Sequence, residues 1–332
     1  MTGADRPRPD GLRPPLSHGS VSLRLYPTDV PEGPTGATAV VEELLVQARL
    51  AEAAGFDGTM TSEHHAGWSG YLPNPIQVAG WVLEATSASW AAACPLLLPL
   101  RPVGIVAEEV AWQAARFPGR VGAGVAAGSV LEDFEVVGST LEGMTARFSD
   151  GLARLANLLA GRAPEGRIEE LLQQDRAIQQ CAASPVPLVS AAMSPTACRR
   201  AARSQVGLLF DSLSTTDRVR ELVDAYRGAG GSGPAILVRR AWVGPPPVRE
   251  ADRQMAFYRS YAGAAQAHFG GNEMINADDA ESVAEGLLAA MEAAGADALN
   301  LRVHMPGLAP EAVRGQIEAL GEVVTLLRRS MG

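Results

Sequence analysis

From residue 21 almost to the carboxyl end, short apolar runs alternate with longer stretches in which apolar and polar positions mix. The short runs, at 21–26 (VSLRLY), 58–62, 90–98 (WAAACPLLL), 120–125, 187–191, 206–210, 235–243 (AILVRRAWV) and 298–303, read as strands. The run at 90–98 is apolar almost throughout, as in a parallel sheet whose strands are covered on both faces. The longer stretches at 38–54, 75–88, 103–117, 141–161, 195–203, 215–228, 249–268, 278–294 and 309–329 read as helices, the stretch at 249–268 as an extra one. Gly55 follows the first helix where a C-cap glycine belongs. Eight strand–helix steps predict an α/β fold, a (β/α)8 TIM barrel. Residues 163–183 are polar and weakly patterned and read as an insertion after strand 4 or the tail of the helix before them. No internal repeat or long linker divides 20–330, which reads as a single domain.

Residues 1–19 carry four Pro, three Arg and three Gly with no apolar core segment, so they read as a disordered N-terminal arm rather than a signal peptide. No apolar run is long enough to span a bilayer, and a cytoplasmic protein is expected. The net charge of −9 argues against a nucleic-acid or anionic-membrane surface, which needs a basic patch. All 28 basic residues are Arg. That excludes Schiff-base enzymes and Walker-type phosphate loops, which need a lysine amine. Cys94, Cys181 and Cys198 are widely spaced and odd in number, and read as core-filling thiols.

The segment 51–65, AEAAGFDGTMTSEHH, ends a helix, stops it at a glycine, adds a short strand, and delivers an acid and two histidines at the strand's carboxyl end. Barrel active sites sit at that end. Two imidazoles there point to acid–base or ligand-binding chemistry, because histidine titrates near neutrality. Glu63, His64 and His65 are therefore the candidate catalytic residues. A metal centre needs three or four converging ligands, and three consecutive residues do not converge without distant partners. Trp68, Tyr71 and Asn74 follow in the loop that overhangs the mouth, and with His304 at the end of the last strand they are candidate pocket residues. Ser194, Pro195 and Thr196 open a helix after the fifth strand, a place where free N–H groups and two hydroxyls suit an anion. An ordinary N-cap by Ser194 explains the same residues. The run 122–128, GAGVAAG, lacks the dinucleotide fingerprint, and Gly122 and Gly124 read as a close backbone approach to a ring or phosphate. Arg101 and Arg147 are the candidate cations.

These segments, in this order, resemble the bacterial luciferase-like monooxygenase family. The likeness rests on 51–65, on LPLRPVGIVAEEVAWQAARFPGRVGAGVAAG (98–128), on EDFEVVG (132–138), on SAAMSPTACRRAA (190–202) and on the closing LNLRVHMPGLAPEAV (299–313). The resemblance implies a flavin-dependent (β/α)8 monooxygenase in which reduced FMN lies at the barrel mouth and one atom of O2 is inserted into a small organic or natural-product substrate. His64 would act as acid–base near the flavin. Gly122, Gly124, Ser190, Ser194, Thr196 and Arg101 would hold the cofactor. The resemblance also implies a separate flavin reductase and a homodimer. Two alternatives stand beside it: a deazaflavin-dependent hydride-transfer oxidoreductase, and a non-catalytic flavin-binding protein.

Overall fold

The computed structural model describes residues 11–27, 36–68, 70–261, 269–271 and 273–331. Eight strands close a parallel barrel: β1 (Val21–Arg24), β2 (Gly58–Thr61), β3 (Trp90–Leu97), β4 (Val121–Ala126), β5 (Leu188–Ala191), β6 (Gly207–Leu209), β7 (Ala235–Val243) and, closing back onto β1, β9 (Ala298–Arg302). All eight expected strands form, and the barrel predicted from their number is the fold. A further strand, β8 (Met274–Ala277), pairs in parallel with Arg240–Val243 of β7 outside the ring. Its four residues, MINA, carry too little apolar periodicity to be read from sequence.

Helices α1 (Gly36–Ala53), α2 (Pro75–Ala85), α3 (Val103–Arg116), α5 (Met144–Leu159), α8 (Pro195–Arg203), α9 (Thr216–Arg227), α11 (Ala280–Ala294) and α12 (Pro310–Met331) ring the barrel. The expected insertion carries α6 (Arg167–Leu172) and α7 (Arg176–Gln180), with Ala177 and Ile178 buried. Two further helices matter for the site: α4 (Leu131–Val136), which the pattern did not predict, and α10 (Val248–Tyr261). The extra helix expected to reach residue 268 is seen to Tyr261; 262–268 lie outside the described residues. Among the described residues no helix is long and apolar enough to cross a membrane.

Alternation along each strand divides the core in two. Val21 and Leu23 of β1, Ala123 of β4 and Leu237 of β7 face outward into the cluster shared with the helices. Met60, Cys94, Val189, Ile236, Val238 and Ala298 face the barrel interior, where Leu16 joins them. Leu16 corrects the expectation of an arm disordered throughout 1–19. Residues 1–10 lie outside the described residues, but 11–19 fold under the amino-terminal end of the barrel. The main-chain N–H of Arg13 donates to Asp57 Oδ1 at 2.8 Å and that of Gly19 to the Asp297 carbonyl at 2.7 Å. A barrel interior has to be closed at the bottom, and one leucine in a Pro- and Arg-rich segment supplies the plug. The three cysteines are free and buried, as expected.

Candidate active site

The carboxyl end of β2 delivers Glu63, His64 and His65 to the barrel mouth, and each side chain receives a separate task. Glu63 is buried. Its Oε2 accepts from the main-chain N–H of Leu97 at 2.6 Å, and its Oε1 meets His65 Nε2 at 2.9 Å and Arg101 Nε at 3.6 Å. Burial raises its carboxyl above the usual range, against the pull of the Leu97 N–H, Arg101 and His65. Glu63 therefore ties the ends of β2 and β3 together and orients His65.

His64 is held by a residue not singled out from sequence. Asp133 of α4, fully buried, places Oδ2 2.7 Å from His64 Nδ1 and accepts the main-chain N–H of His65 on Oδ1 at 2.7 Å. A carboxylate oxygen accepts from a ring N–H, so the contact makes Nδ1 the donor toward Asp133. The rest of the ring sits in an aromatic frame. Trp68 stacks on it at 5.1 Å and Tyr71 meets it edge-on at 4.5 Å. The His64 side chain keeps 19% of its surface exposed, so the ring reaches the mouth. This is a histidine–carboxylate dyad whose second ring nitrogen, Nε2, is not taken up by Asp133.

The frame continues across the mouth. Tyr71 packs edge-on against Tyr26 at 5.2 Å, and Tyr26 stacks on His304 at 5.4 Å. From α10, Phe257 reaches Trp68 at 5.4 Å, and Tyr258 accepts from Arg302 Nη2 at 2.6 Å. Burial works to raise the Tyr258 phenol, but the charge and hydrogen bond of Arg302 outweigh it and hold it below its usual range. Burial keeps Tyr71 well above its own. Burial and the nearby Arg302 charge push His304 down to about 3, so it is neutral at neutral pH.

Of the expected pocket residues, Trp68, Tyr71 and His304 meet in this frame and Asn74 does not. Asn74 caps α2, its Oδ1 accepting from Gln77 N at 3.2 Å, with Pro75 opening the helix. The expected cofactor residues separate in the same way. Gly122 and Gly124 are strand residues facing the barrel interior rather than a turn at the mouth. A Cβ on Gly124 would stand 2.2 Å from Cys94 Sγ, and one on Gly122 would stand 3.0 Å from Leu16. Ser190 is buried beside Val189, whose side chain faces inward, so Ser190 turns to the outer face of β5. Arg101 spans Glu63 and Glu109, and Arg147 donates to the Glu142 and Thr140 carbonyls.

Ser194 and Thr196 lie exposed at the start of α8, and the Ser194 hydroxyl accepts from Ala197 N at 3.2 Å. Arg218 of α9 reaches the same place, donating from Nη2 to the Met193 carbonyl at 3.3 Å while its Nη1 pairs with Glu221 Oε2 at 2.8 Å. Its Nε is buried and has no hydrogen-bond partner. An arginine beside a helix start that carries two hydroxyls is chemically suited to a phosphate group. Sequence reasoning named the hydroxyls and missed Arg218.

The family model described as luciferase-like monooxygenase matches residues 23–324. The chain is 30% identical over 176 residues to a protein of Beutenbergia cavernae named F420-dependent glucose-6-phosphate dehydrogenase. That match covers 51% of this chain and 52% of the relative, so the chain spans about half the length of the curated relative it matches. Among solved structures, the monooxygenase RslO1 of Streptomyces bottropensis superposes with a TM-score of 0.72 at 18% identity, covering 92% of this chain and 99% of that one. The oxygenating constituent of 3,6-diketocamphane monooxygenase of Pseudomonas putida, solved with FMN, gives 0.72 at 16% identity, with 93% and 98% covered. An F420-dependent secondary alcohol dehydrogenase gives 0.71 at 17%, with 94% and 99% covered. At these identities the structural likenesses establish the fold alone.

Proposed function

The chain belongs to the luciferase-like monooxygenase family, and from that premise we propose that it is a deazaflavin-dependent oxidoreductase that oxidises an alcohol, with His64 as the base. The observation that carries the base assignment is the 2.7 Å contact between His64 Nδ1 and the buried Asp133. Oxidising an alcohol removes a hydride from carbon and a proton from oxygen. The coenzyme, when bound, supplies the two-electron acceptor. The protein's share is the proton, and a neutral imidazole with Nδ1 committed to a carboxylate takes it on Nε2. Asp133 stabilises the imidazolium that results. Trp68, Tyr71 and Phe257 exclude water around the ring. Ser194, Thr196 and Arg218 are the residues that would hold the coenzyme phosphate. The named activity of the 30%-identical relative favours this choice of coenzyme.

A second reading, FMN-dependent oxygenation of a small organic substrate, is favoured by the description of the family model. It assigns His64 the same proton-handling role and adds a separate flavin reductase as partner. Under either reading we propose a homodimer. Ile105 and Trp112 of α3, 51% and 53% exposed, offer an apolar face for a second copy.

The test is the bleaching of oxidised deazaflavin on mixing the anaerobic protein with a panel of primary and secondary alcohols and sugar hemiacetals. Bleaching by at least one of them, lost in His64→Asn while deazaflavin still binds, supports the proposal. Deazaflavin that stays oxidised with every alcohol, together with oxygen uptake on adding reduced FMN, selects the second reading.

A further inference from the structure

Three arginines stand at one level inside the barrel mouth. Arg240 of β7 and Arg302 of β9 are register partners. Strands β1 and β9 pair Leu23 with Leu301, and one step on this sets Arg24 level with Arg302. Alternation turns all three inward, with Val238, Asn300 and Ser22 two residues before them on the same faces. Their side chains are buried, at 5% exposure for Arg24, 0% for Arg240 and 4% for Arg302. Neighbouring strands lie only about 4.8 Å apart, so these like charges repel at close range.

Arg24 and Arg302 meet hydroxyl, amide and main-chain carbonyl oxygens rather than carboxylates. Arg24 donates to Asn300 Oδ1 at 2.8 Å, to the Cys94 carbonyl at 2.9 Å and to Ser62 Oγ. Arg240 donates to Gln254 Oε1 at 2.6 Å. Arg302 donates to Tyr258 Oη at 2.6 Å, to the His304 carbonyl at 3.4 Å and to Ser212 Oγ at 3.5 Å. Among the described residues no carboxylate forms an ion pair with Arg24 or Arg302, although Arg101, Arg154 and Arg328 each find one. Buried charges are ordinarily paired, because removing them from water is expensive. Beside this row lies a second anomaly. Both ring nitrogens of His304 are buried without a hydrogen-bond partner. The Arg302 guanidinium lies 4.4 Å over the Tyr26 ring, and His304 stacks on that same ring at 5.4 Å. A surplus of buried positive charge and an orphaned hydrogen-bonding ring thus meet on one tyrosine.

We propose that this place binds an oxyanion carried by the substrate, a carboxylate or a phosphate ester, held by Arg302 with a hydrogen bond from His304. The oxygen of Tyr258 occupies the position on Arg302 that the anion takes, so binding displaces Tyr258. The word substrate rests on the oxidoreductase reading above; the anion site itself does not. The coenzyme phosphate has separate candidate ligands, Ser194, Thr196 and Arg218.

The experiment follows thermal unfolding of the whole protein against benzoate and against inorganic phosphate at constant ionic strength, with chloride as reference. Deazaflavin affinity is measured in parallel by fluorescence. We expect saturable stabilisation by at least one probe. Affinity for that probe should fall about tenfold or more in Arg302→Gln, as loss of a charge-assisted contact requires. It should rise in Tyr258→Phe, where the competing hydroxyl is gone. Deazaflavin affinity should hold in both variants. If Arg302→Gln does not fold, Arg302→Lys and Tyr258→Phe carry the test. No saturable effect of either probe, or an effect unchanged in the arginine variants, overturns the proposal. Deazaflavin affinity falling together with anion affinity makes the coenzyme the source of the anion and overturns the substrate assignment. Anion binding without any deazaflavin binding supports the anion site and sinks the coenzyme reading instead.

Discussion

Asp133 grips the loop after β2 twice, through the ring of His64 and the main-chain N–H of His65, each at 2.7 Å. The second contact fixes the loop and the first fixes the tautomer, so a variant at this position separates the two. Asp133→Asn keeps the size and can still accept from His65 N–H, but it no longer enforces a protonated Nδ1. We expect turnover to fall about 10²-fold or more, within the range of a general base. KM and coenzyme affinity should change little. An unchanged kcat would remove the dyad from the mechanism.

Gly124 of β4 lies beside Cys94 of the neighbouring strand β3, and both face the barrel interior. A Cβ at Gly124 would approach Cys94 Sγ to 2.2 Å, with Val189 at 3.1 Å on another side. Gly124→Ala should cost about 1–3 kcal/mol, as overpacking does in a dense core. Adding Cys94→Ala should return part of that loss in chemical denaturation, because the nearest clash is with the sulfur. Equal stability of Gly124→Ala and the parent would mean that the interior is looser than these contacts imply.

Leu16 plugs the lower end of the barrel. Leu16→Ala removes a side chain packed among Met60, Trp90 and Val238, and should cost about 2–5 kcal/mol. Truncation of 1–10, which leaves Leu16 in place, should cost far less. A null effect of Leu16→Ala on the melting temperature would return 11–19 to the status of a loose arm.

His304 gives the fold a pH dependence of known sign. Its folded value, near 3, lies below the unfolded value of 6.5, so the unfolded chain binds the extra proton between them. The contribution is present above pH 6.5 and is lost as pH falls toward 3. At pH 5 the loss is about 2 kcal/mol by linkage. Asp57 and Glu63, whose carboxyls are raised by burial, titrate with the opposite sign, so the test is a difference. His304→Phe should flatten the stability profile between pH 7 and 5 relative to the parent. Parallel profiles for the two proteins would contradict the burial of a neutral imidazole.

What could be read in advance follows from the range of the interactions. Strands buried on both faces leave continuous apolar runs, so all eight barrel strands were visible, and 235–243 agreed to the residue. The histidines were visible because a strand end delivers them within one local segment. Their partner was not, since Asp133 lies 69 residues on, in a six-residue helix with no periodicity of its own. The EDFEVVG segment flagged that helix without saying what its acids touch. Arg24, Arg240 and Arg302 each interrupt an apolar strand, which is a signal, but their common level depends on strand register, and register is set by pairing across the barrel. Asn74 went the other way: its position before Pro75 is a helix-start signal, and the local role prevailed over the pocket.

The most direct test of the account is a paired anaerobic titration of the purified protein with deazaflavin coenzyme and with FMN, oxidised and reduced, repeated with Arg218→Gln. The account predicts tight binding of deazaflavin in preference to FMN, weakened by the loss of Arg218, with no oxygen uptake when air is admitted to the reduced complex. Binding of neither coenzyme, or tight binding of reduced FMN with rapid oxygen uptake, would contradict it.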